Sequence, residues 1–283
     1  MNRKQLAEQI FSKRTYLCIG LDTDISKIPR HLKDEKDPIF AFNKEIIDAT
    51  KDHCIGYKIN TAFYEAQGLK GWGALEKTVS YIPASHFKIA DAKRGDIGNT
   101  SAQYAKAFFE TLQFDAITVA PYMGEDSVRP FLEYEDKWTI LLGLTSNTGA
   151  RDFELRKVVI DEESLDEGMH VIHHRTDYLY KRVLQTAVRW GNEQNLMFVI
   201  GATQANEFSG IRNICPNHFY LVPGVGAQGG SLKEISEKAM ISDCGLLVNV
   251  SRAIIYASGK ENFASEAKEI ARQYQFEMNS YLK

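Results

Sequence analysis

Short runs of apolar residues rich in branched side chains alternate along this chain with stretches of helical periodicity. Each run is almost continuously apolar, which is typical of a parallel strand covered on both faces. The eight runs are residues 16–22, 55–60, 87–93, 116–122, 139–145, 196–203, 218–225 and 245–251. Between them, apolar residues recur at helical spacing, most clearly over 39–50, 178–192 and 263–281. This alternation predicts an α/β fold, a closed (β/α)8 TIM barrel rather than an open doubly wound sheet.

The length suits one such barrel with a small surplus. The chain has 283 residues, whereas a barrel of this kind typically needs about 250. Most of the surplus falls in residues 149–176, an acidic segment inserted between the fifth strand and its helix, which we expect to be irregular. The sequence shows no linker and no internal repeat, so residues 1–283 are predicted to form a single domain.

The composition excludes several functional classes. Lys and Arg number 34 against 37 Asp and Glu, the formal net charge is −3, and no basic block is present. We therefore expect no nucleic-acid or membrane partner. No apolar run approaches the roughly 18 residues of a transmembrane helix, and the charged N-terminus lacks the apolar core of a signal peptide. The four cysteines form no C-x-x-C pair, so a cytoplasmic protein without disulfides or structural zinc is expected.

Polar and charged residues concentrate at the C-terminal ends of the predicted strands, the edge at which TIM barrels carry their sites. Charges in such places are costly to bury unless they neutralise one another or meet a ligand. This edge is therefore the predicted functional site. Its candidate residues are Asp22, Lys58, Asn60, Asp91, Lys93, Pro121, Thr145, Ser146, Thr203, the loop 223–230, Ser251 and Arg252.

The segment 91–96 (DAKRGD) after the third strand is the most informative. Asp91 and Lys93 are two residues apart on a strand and are expected to point to the same side. On the pattern alone, they could form a structural ion pair, and Asp96 could cap a helix over 97–112. Lys58, however, ends the preceding strand and would lie beside Asp91. We therefore interpret Lys58, Asp91, Lys93 and Asp96 as an alternating array without net charge.

The loop 223–230 (PGVGAQGG) contains a G-x-G-x-x-G match, which could indicate a dinucleotide site. We favour a phosphate-binding loop, because the match follows a late strand and no acidic residue ends the next one. Backbone amides in such a loop bind anions. Arg252, directly after the eighth strand, would supply a guanidinium for phosphate oxygens. The alternative is a plain glycine turn beside a surface arginine.

The segments LCIGLD, IGYKIN and DAKRGDIGNT together resemble the orotidine 5′-phosphate decarboxylase family. The similarity is greatest to its longer bacterial branch, in which the fifth strand ends LTSN and the sixth ends VxGAT. It runs in the correct order over residues 17–256 and weakens over 151–176. The resemblance implies a homodimeric decarboxylase that needs no cofactor and no metal. Such an enzyme converts orotidine 5′-phosphate (OMP) to UMP and CO2 in pyrimidine biosynthesis.

The resemblance also implies roles for individual residues. Lys58, Asp91 and Lys93 would form the catalytic array of one subunit, with Lys93 protonating the ring carbanion. Asp96, Ile97 and Thr100 would reach into the active site of the partner subunit. Asp22 would contact the ribose hydroxyls, and Ser146 would hydrogen-bond the ring amide. Gln228 would reach both the phosphate and the pyrimidine edge. The remaining substrate contacts would come from Pro223, Gly229, Ser251 and Arg252.

Two other functions remain open. Related barrels that act on sugar phosphates use similar D-x-K-x-x-D segments in metal-dependent chemistry, and a barrel could also bind phosphate without catalysis. Ser146, Gln228 and a lysine at position 58 in place of an acidic metal ligand favour the nucleotide enzyme. The intact charge array argues against a non-catalytic barrel, because four desolvated charges are costly to keep.

Two further features are expected to be structural. His170, His173 and His174 have a spacing that could bind a metal, but they lie in the acidic segment without a strand-end partner. We expect them to be an exposed cluster rather than a metal site. Tyr256 is expected to pack against the last helix.

Overall fold

The computed structural model describes residues 1–165, 171–226 and 229–283. In these ranges the strands are β1 Leu17–Gly20, β2 Gly56–Asn60, β3 Phe87–Arg94, β4 Ala116–Val119, β5 Trp138–Leu144, β6 Lys157–Leu165, β7 Val171–Tyr178, β8 Leu196–Ile200, β9 Tyr220–Pro223 and β10 Leu246–Val250. The α-helices are α1 Arg3–Lys13, α2 Pro38–Thr50, α3 Ala62–Glu65, α4 Gly68–Tyr81, α5 Gly98–Lys106, α6 Glu125–Leu132, α7 Leu179–Ala187, α8 Phe208–Ile214, α9 Leu232–Ala239, α10 Arg252–Ile255 and α11 Phe263–Asn279.

Eight of the described strands close into a parallel barrel in the order β1-β10-β9-β8-β5-β4-β3-β2. Each of them corresponds to one of the predicted apolar runs, so the predicted (β/α)8 TIM barrel is confirmed. The apolar sequence runs are continuous because both faces of each strand are buried. Helices cover the outer face of the barrel, and side chains fill its interior. Strands β1, β4, β8 and β10 are accordingly buried at every position. Burying each large aliphatic or aromatic side chain in these strands stabilises the fold by about 1.5–3 kcal/mol.

The acidic insertion is more regular than expected. Strands β6 and β7 pair in an antiparallel hairpin between β5 and α7, with Lys157 opposite Tyr178 and Leu165 opposite Val171. The expectation of an irregular segment was therefore wrong for these residues. Acidic residues dominate the composition of the segment and obscure the short β-branched runs at 158–160 and 171–172. Pairing across a hairpin depends on the register between two strands, which composition does not report.

Aromatic stacking connects α2 and α11, two helices on the outside of the barrel. The Phe42 ring on α2 stacks on Phe263 of α11 at 5.0 Å between centroids and on Tyr256 at 5.9 Å. Phe42 is fully buried. This cluster holds α2, α11 and the segment after α10 against one another. Within the described ranges, every helix is too short or too polar to cross a membrane.

We predict that Phe42→Ala lowers the free energy of unfolding by about 3–5 kcal/mol, because it leaves a cavity between two rings. Urea denaturation followed by circular dichroism would measure the change. The matched control is Phe276→Ala on α11, because the Phe276 side chain is 81% exposed. That control should change stability by less than about 0.5 kcal/mol. Equal effects of the two substitutions would contradict the importance of the cluster.

Candidate active site

A cavity of about 280 Å³ opens at the C-terminal ends of the barrel strands. Most of the predicted site residues line it, namely Asp22, Lys58, Asp91, Lys93, Thr145, Ser146, Pro223, Ser251 and Arg252. Strands β1, β2 and β3 are neighbours in the barrel, and all run in the same direction. Their C-terminal ends therefore meet at one edge, which brings Asp22, just after β1, close to Lys58 of β2 and Asp91 of β3.

Lys58 forms the buried centre of the site. Its side chain is only 4% exposed, and its Nζ donates to Asp22 Oδ1 at 3.1 Å and to Asp91 Oδ2 at 2.9 Å. A single desolvated ammonium would be costly, and two carboxylates within hydrogen-bond distance offset that cost. The predicted contact between Lys58 and Asp91 is thus present within one chain.

The charges in this cluster fix one another's protonation states. Burial alone would lower the pKa of Lys58, but the carboxylates of Asp22 and Asp91 raise it well above its usual range. Burial alone would raise the pKa of Asp91, but the ammonium groups of Lys58 and Lys93 lower it well below its usual range. Both groups are therefore charged at neutral pH.

Lys93 contacts Asp91, although not through simple strand alternation. Its backbone has a φ of 47°, in the left-handed region that a non-glycine residue rarely adopts. The pairing between β3 and β4 also shifts register between Ala90 and Arg94. The bent backbone nevertheless brings Lys93 Nζ to 2.5 Å from Asp91 Oδ1, with the Lys93 side chain half exposed to the cavity. One charge of the array is therefore accessible while Lys58 is enclosed.

Asp96 lies apart from the other three charges. Its Oδ1 accepts from the Ile97 amide at 2.8 Å, and its backbone oxygen accepts from Ser101 Oγ at 2.6 Å. Ile97, rather than Asp96, is the N-cap of α5. Neither Asp96, Ile97 nor Thr100 lines the cavity of its own chain, and the Ile97 side chain is 60% exposed. One chain thus assembles three of the four predicted array members.

The glycine loop after β9 folds back on itself. The amides of Gly226, Gly229 and Gly230 donate to backbone oxygens within the loop, at 2.9–3.2 Å. Gly226 and Gly229 have positive φ values of 72° and 86°, which glycine adopts without strain. Pro223 lines the cavity, whereas Gly229 does not. Gln228 lies outside the described residues.

The next part of the cavity rim follows β10, which lies between β9 and β1 in the barrel. The Ser251 hydroxyl donates to the Gly20 carbonyl at 3.0 Å, across the seam between β10 and β1. The exposed Arg252 follows as the first residue of α10 and also lines the cavity. Its guanidinium is therefore available to an anionic ligand.

Comparison with known proteins decides the family. The model of the "Orotidine 5'-phosphate decarboxylase / HUMPS family" matches residues 15–268 of the chain. The chain belongs to this family. A protein named orotidine 5'-phosphate decarboxylase from Phocaeicola vulgatus is 56% identical over 285 residues, spanning 100% of this chain and 99% of that protein. The protein of the same name from Flavobacterium johnsoniae is 56% identical over 281 residues, spanning 98% and 97%.

A solved structure agrees with this assignment. The OMP decarboxylase of Leishmania donovani superposes with a TM-score of 0.75 at 33% identity, covering 98% of this chain and 99% of that one. The resemblance inferred from the sequence segments is thereby confirmed. Members of the orotidine 5′-phosphate decarboxylase family share this barrel, and the charged cluster of this chain lies at its C-terminal edge.

Several residues that shape the site in this family member were not singled out from the sequence. The Thr118 hydroxyl contacts both Asp91 and Lys93. Tyr256, which was expected to pack against the last helix, stacks on Phe42 of α2. Its hydroxyl donates to the Asp22 carbonyl at 3.1 Å and accepts from the Asp24 amide at 2.7 Å. Asn249 lines the cavity and donates to the Cys18 carbonyl at 3.1 Å. These side chains act on neighbouring strands or loops, so no local motif marks them.

Two further sequence features, Asn60 and the histidine cluster, do not contribute to the described site. Asn60 accepts a hydrogen bond from the Ala62 amide at 3.2 Å, so its side chain orders the turn before α3. His170 and the side chains of His173 and His174 lie outside the described part of the chain. Within that part, no group of three or more His, Cys, Asp or Glu side chains is arranged as a metal site.

We predict that Asp91→Asn lowers the pKa of Lys58, because burial remains while one of the two carboxylates that raise the pKa becomes neutral. Titration of ¹³C-labelled lysines by NMR would detect Lys58 deprotonation at a lower pH than in the wild type. The matched control is Asp37→Asn, which disrupts the exposed Lys77–Asp37 pair at 2.8 Å and should leave Lys58 unchanged. An unchanged or raised Lys58 pKa in Asp91→Asn would contradict the proposed coupling.

Proposed function

We propose that this chain is an orotidine 5′-phosphate decarboxylase that converts OMP to UMP and CO2 in pyrimidine biosynthesis. The observation that carries the proposal is the contact of Lys58, Asp91 and Lys93 at the edge of the cavity, in a chain whose full-length relatives bear this name. We further propose that the chain acts as one domain and without a cofactor or metal ion.

The proposed reaction breaks the bond between C6 of the pyrimidine and its carboxylate. The bonding electron pair stays on C6, CO2 leaves, and C6 takes a proton from the Lys93 ammonium, which water later restores. The electron pair on C6 lies in the plane of the ring, orthogonal to the ring π-system, which therefore cannot delocalise the charge. Electrostatic stabilisation must come from the site. Lys93 supports this role because its ammonium is half exposed at the cavity and held at 2.5 Å by Asp91.

Asp91 acts in two ways in this proposal. It holds the Lys93 ammonium, and its ionised carboxylate would lie near the carboxylate of the bound substrate. A charge pair at about 4 Å and an effective dielectric constant near 20 contributes on the order of 4 kcal/mol. Repulsion in the ground state and attraction in the transition state would thus be of similar size. Only the difference between the two states accelerates the reaction.

Substrate binding would use the rest of the cavity. We propose that Asp22 binds the ribose hydroxyls, Ser146 the ring amide, and Gln228 the phosphate and pyrimidine edge. Pro223, Gly229, Ser251 and Arg252 would complete the phosphate side. Because the amides of Gly226, Gly229 and Gly230 are used within their own loop, the Arg252 guanidinium would supply much of the attraction for the phosphate.

We also propose a homodimer in which Asp96, Ile97 and Thr100 enter the partner's active site. Exposed apolar side chains that follow the C-terminal ends of β3 and β4 support an interface, since Ile97 is 60%, Tyr122 93% and Met123 45% exposed. The Ala120 amide donates to the Arg94 carbonyl at 2.8 Å, which places the loops that carry these residues side by side. Asp96 would complete the array only across such an interface.

The proposed partners are thus a small-molecule substrate and a second copy of the chain, without nucleic acid or membrane. We place the reaction in the cytoplasm. The four cysteines, all within the described ranges, are unpaired and buried, as is usual in a reducing compartment.

In the direct test of the reaction, OMP is incubated with the protein in excess EDTA while the orotate absorbance is followed. Wild type should consume OMP, and Lys93→Ala should lower kcat/KM by roughly a thousandfold or more, because it removes both a proton donor and a cation. The control Lys88→Ala changes a lysine at the opposite end of the same strand and should remain active. Turnover of a sugar phosphate only after Mg²⁺ addition would assign the protein to metal-dependent chemistry instead.

The shared site predicts complementation between two inactive variants. Subunits carrying Asp96→Ala and Lys93→Ala should regain about a quarter of wild-type activity when mixed equally. Half of the dimers are then mixed, and each contains one intact site. The control pair is Asp91→Asn with Lys93→Ala. Both residues belong to the same subunit's site, so this mixture should stay inactive. If mass spectrometry shows subunit exchange and the first mixture gains no activity, Asp96 does not act across the interface.

A further inference from the structure

The Thr118 hydroxyl lies between the two residues on which the proposed proton transfer depends. Thr118 is on β4 and is 1% exposed. Its Oγ1 accepts from the Lys93 backbone amide at 2.9 Å and donates to Asp91 Oδ1 at 3.1 Å. A hydroxyl has one donor hydrogen and two acceptor lone pairs, so both hydrogen bonds form together. One buried side chain therefore contacts both Asp91 and Lys93 without lining the cavity.

The first hydrogen bond compensates for an interruption in the barrel. Ala90 pairs with Ile117 and Arg94 pairs with Val119, so four steps along β3 correspond to two steps along β4. The segment between Ala90 and Arg94 is consequently out of register with β4, and Lys93 adopts its left-handed φ of 47° there. A backbone amide released from a strand ladder needs another acceptor. Thr118 Oγ1 is that acceptor and stabilises the unusual conformation of Lys93.

The second hydrogen bond acts on the carboxylate that holds Lys93. Asp91 Oδ1 receives both the Lys93 ammonium and the Thr118 hydroxyl, while Oδ2 receives Lys58. Hydrogen bonds to an ionised group are stronger than those between neutral groups. Thr118 thus fixes the oxygen to which the Lys93 ammonium is bound, in addition to the backbone from which that ammonium extends.

We propose that Thr118 is a positioning residue, which sets the location of the Lys93 ammonium by bonding simultaneously to the Lys93 backbone and the Asp91 carboxylate. The catalytic part of this inference rests on the proposed decarboxylation. The hydrogen-bond part rests only on the geometry of β3 and β4.

The test compares three substitutions. Thr118→Val keeps the shape and removes the hydroxyl, whereas Thr118→Ser keeps the hydroxyl. Thr139→Val is the matched control on β5, because the Thr139 hydroxyl is also buried but has no hydrogen-bond partner among the described residues. We expect Thr118→Val to lower kcat for OMP about 10- to 100-fold, with Thr118→Ser within about threefold of wild type and Thr139→Val unchanged.

Two readouts separate positioning from general stability. Calorimetric affinity for UMP should be unchanged in Thr118→Val, because Thr118 does not line the cavity. Hydrogen exchange of the Lys93 amide, measured by NMR without any substrate, should accelerate in Thr118→Val and stay slow in Thr118→Ser. A loss of UMP affinity that parallels kcat, or a kcat within threefold of wild type in Thr118→Val, would overturn the positioning role.

The outcomes also distinguish this inference from the proposed function. If wild type leaves OMP unchanged, the decarboxylase proposal fails, and the amide exchange still decides whether Thr118 holds Lys93. If wild type is active and the Lys93 amide exchanges equally in the three Thr118 forms, the decarboxylase proposal stands and the Thr118 proposal fails.

Discussion

The site depends on one interaction, the burial of the Lys58 ammonium between Asp22 and Asp91. A cation enclosed at the end of an apolar barrel is tolerated only if anions offset its lost hydration. That requirement fixes both carboxylates, and each of them connects Lys58 to a further part of the site. Asp91 binds the Lys93 ammonium. Asp22 belongs to a loop whose backbone is held by the Tyr256 hydroxyl.

The barrel supplies the geometry that this interaction needs. Because β1, β2 and β3 are parallel neighbours, their ends deliver Asp22, Lys58 and Asp91 to one edge without a long loop. The outer helices contribute through Tyr256, whose ring stacks on Phe42 of α2 while its hydroxyl reaches the Asp22 loop. Packing between helices and the position of a charged group are therefore coupled. The apolar packing outside the barrel therefore supports the polar groups at its C-terminal edge.

Much of this architecture could be predicted from the sequence, and the exceptions have physical causes. Parallel strands buried on both faces are continuously apolar, so all eight barrel strands were recognised, and charges at their ends marked Lys58, Asp91 and Lys93. The β6–β7 hairpin was missed because its acidic residues conceal a pairing that depends on register. Thr118 could not be distinguished from Thr139, since both are threonines on buried strands and only the neighbouring strand gives Thr118 its role. The left-handed backbone at Lys93 has no glycine to signal it.

The two lysines of the array differ in a way that assigns their proposed roles. Lys58 is 4% exposed and bound to two carboxylates, which raise its pKa, so it retains its proton and acts as a fixed charge. Lys93 is 50% exposed at the cavity and bound to one carboxylate. Proton donation to a substrate carbon requires an ammonium that can reach the ligand and then lose a proton to it. We therefore propose the more exposed Lys93 as the proton donor, whereas the enclosed Lys58 would keep Asp91 ionised and in place. The buried lysine thus orders the anion, and the anion positions the lysine that we propose performs the chemistry.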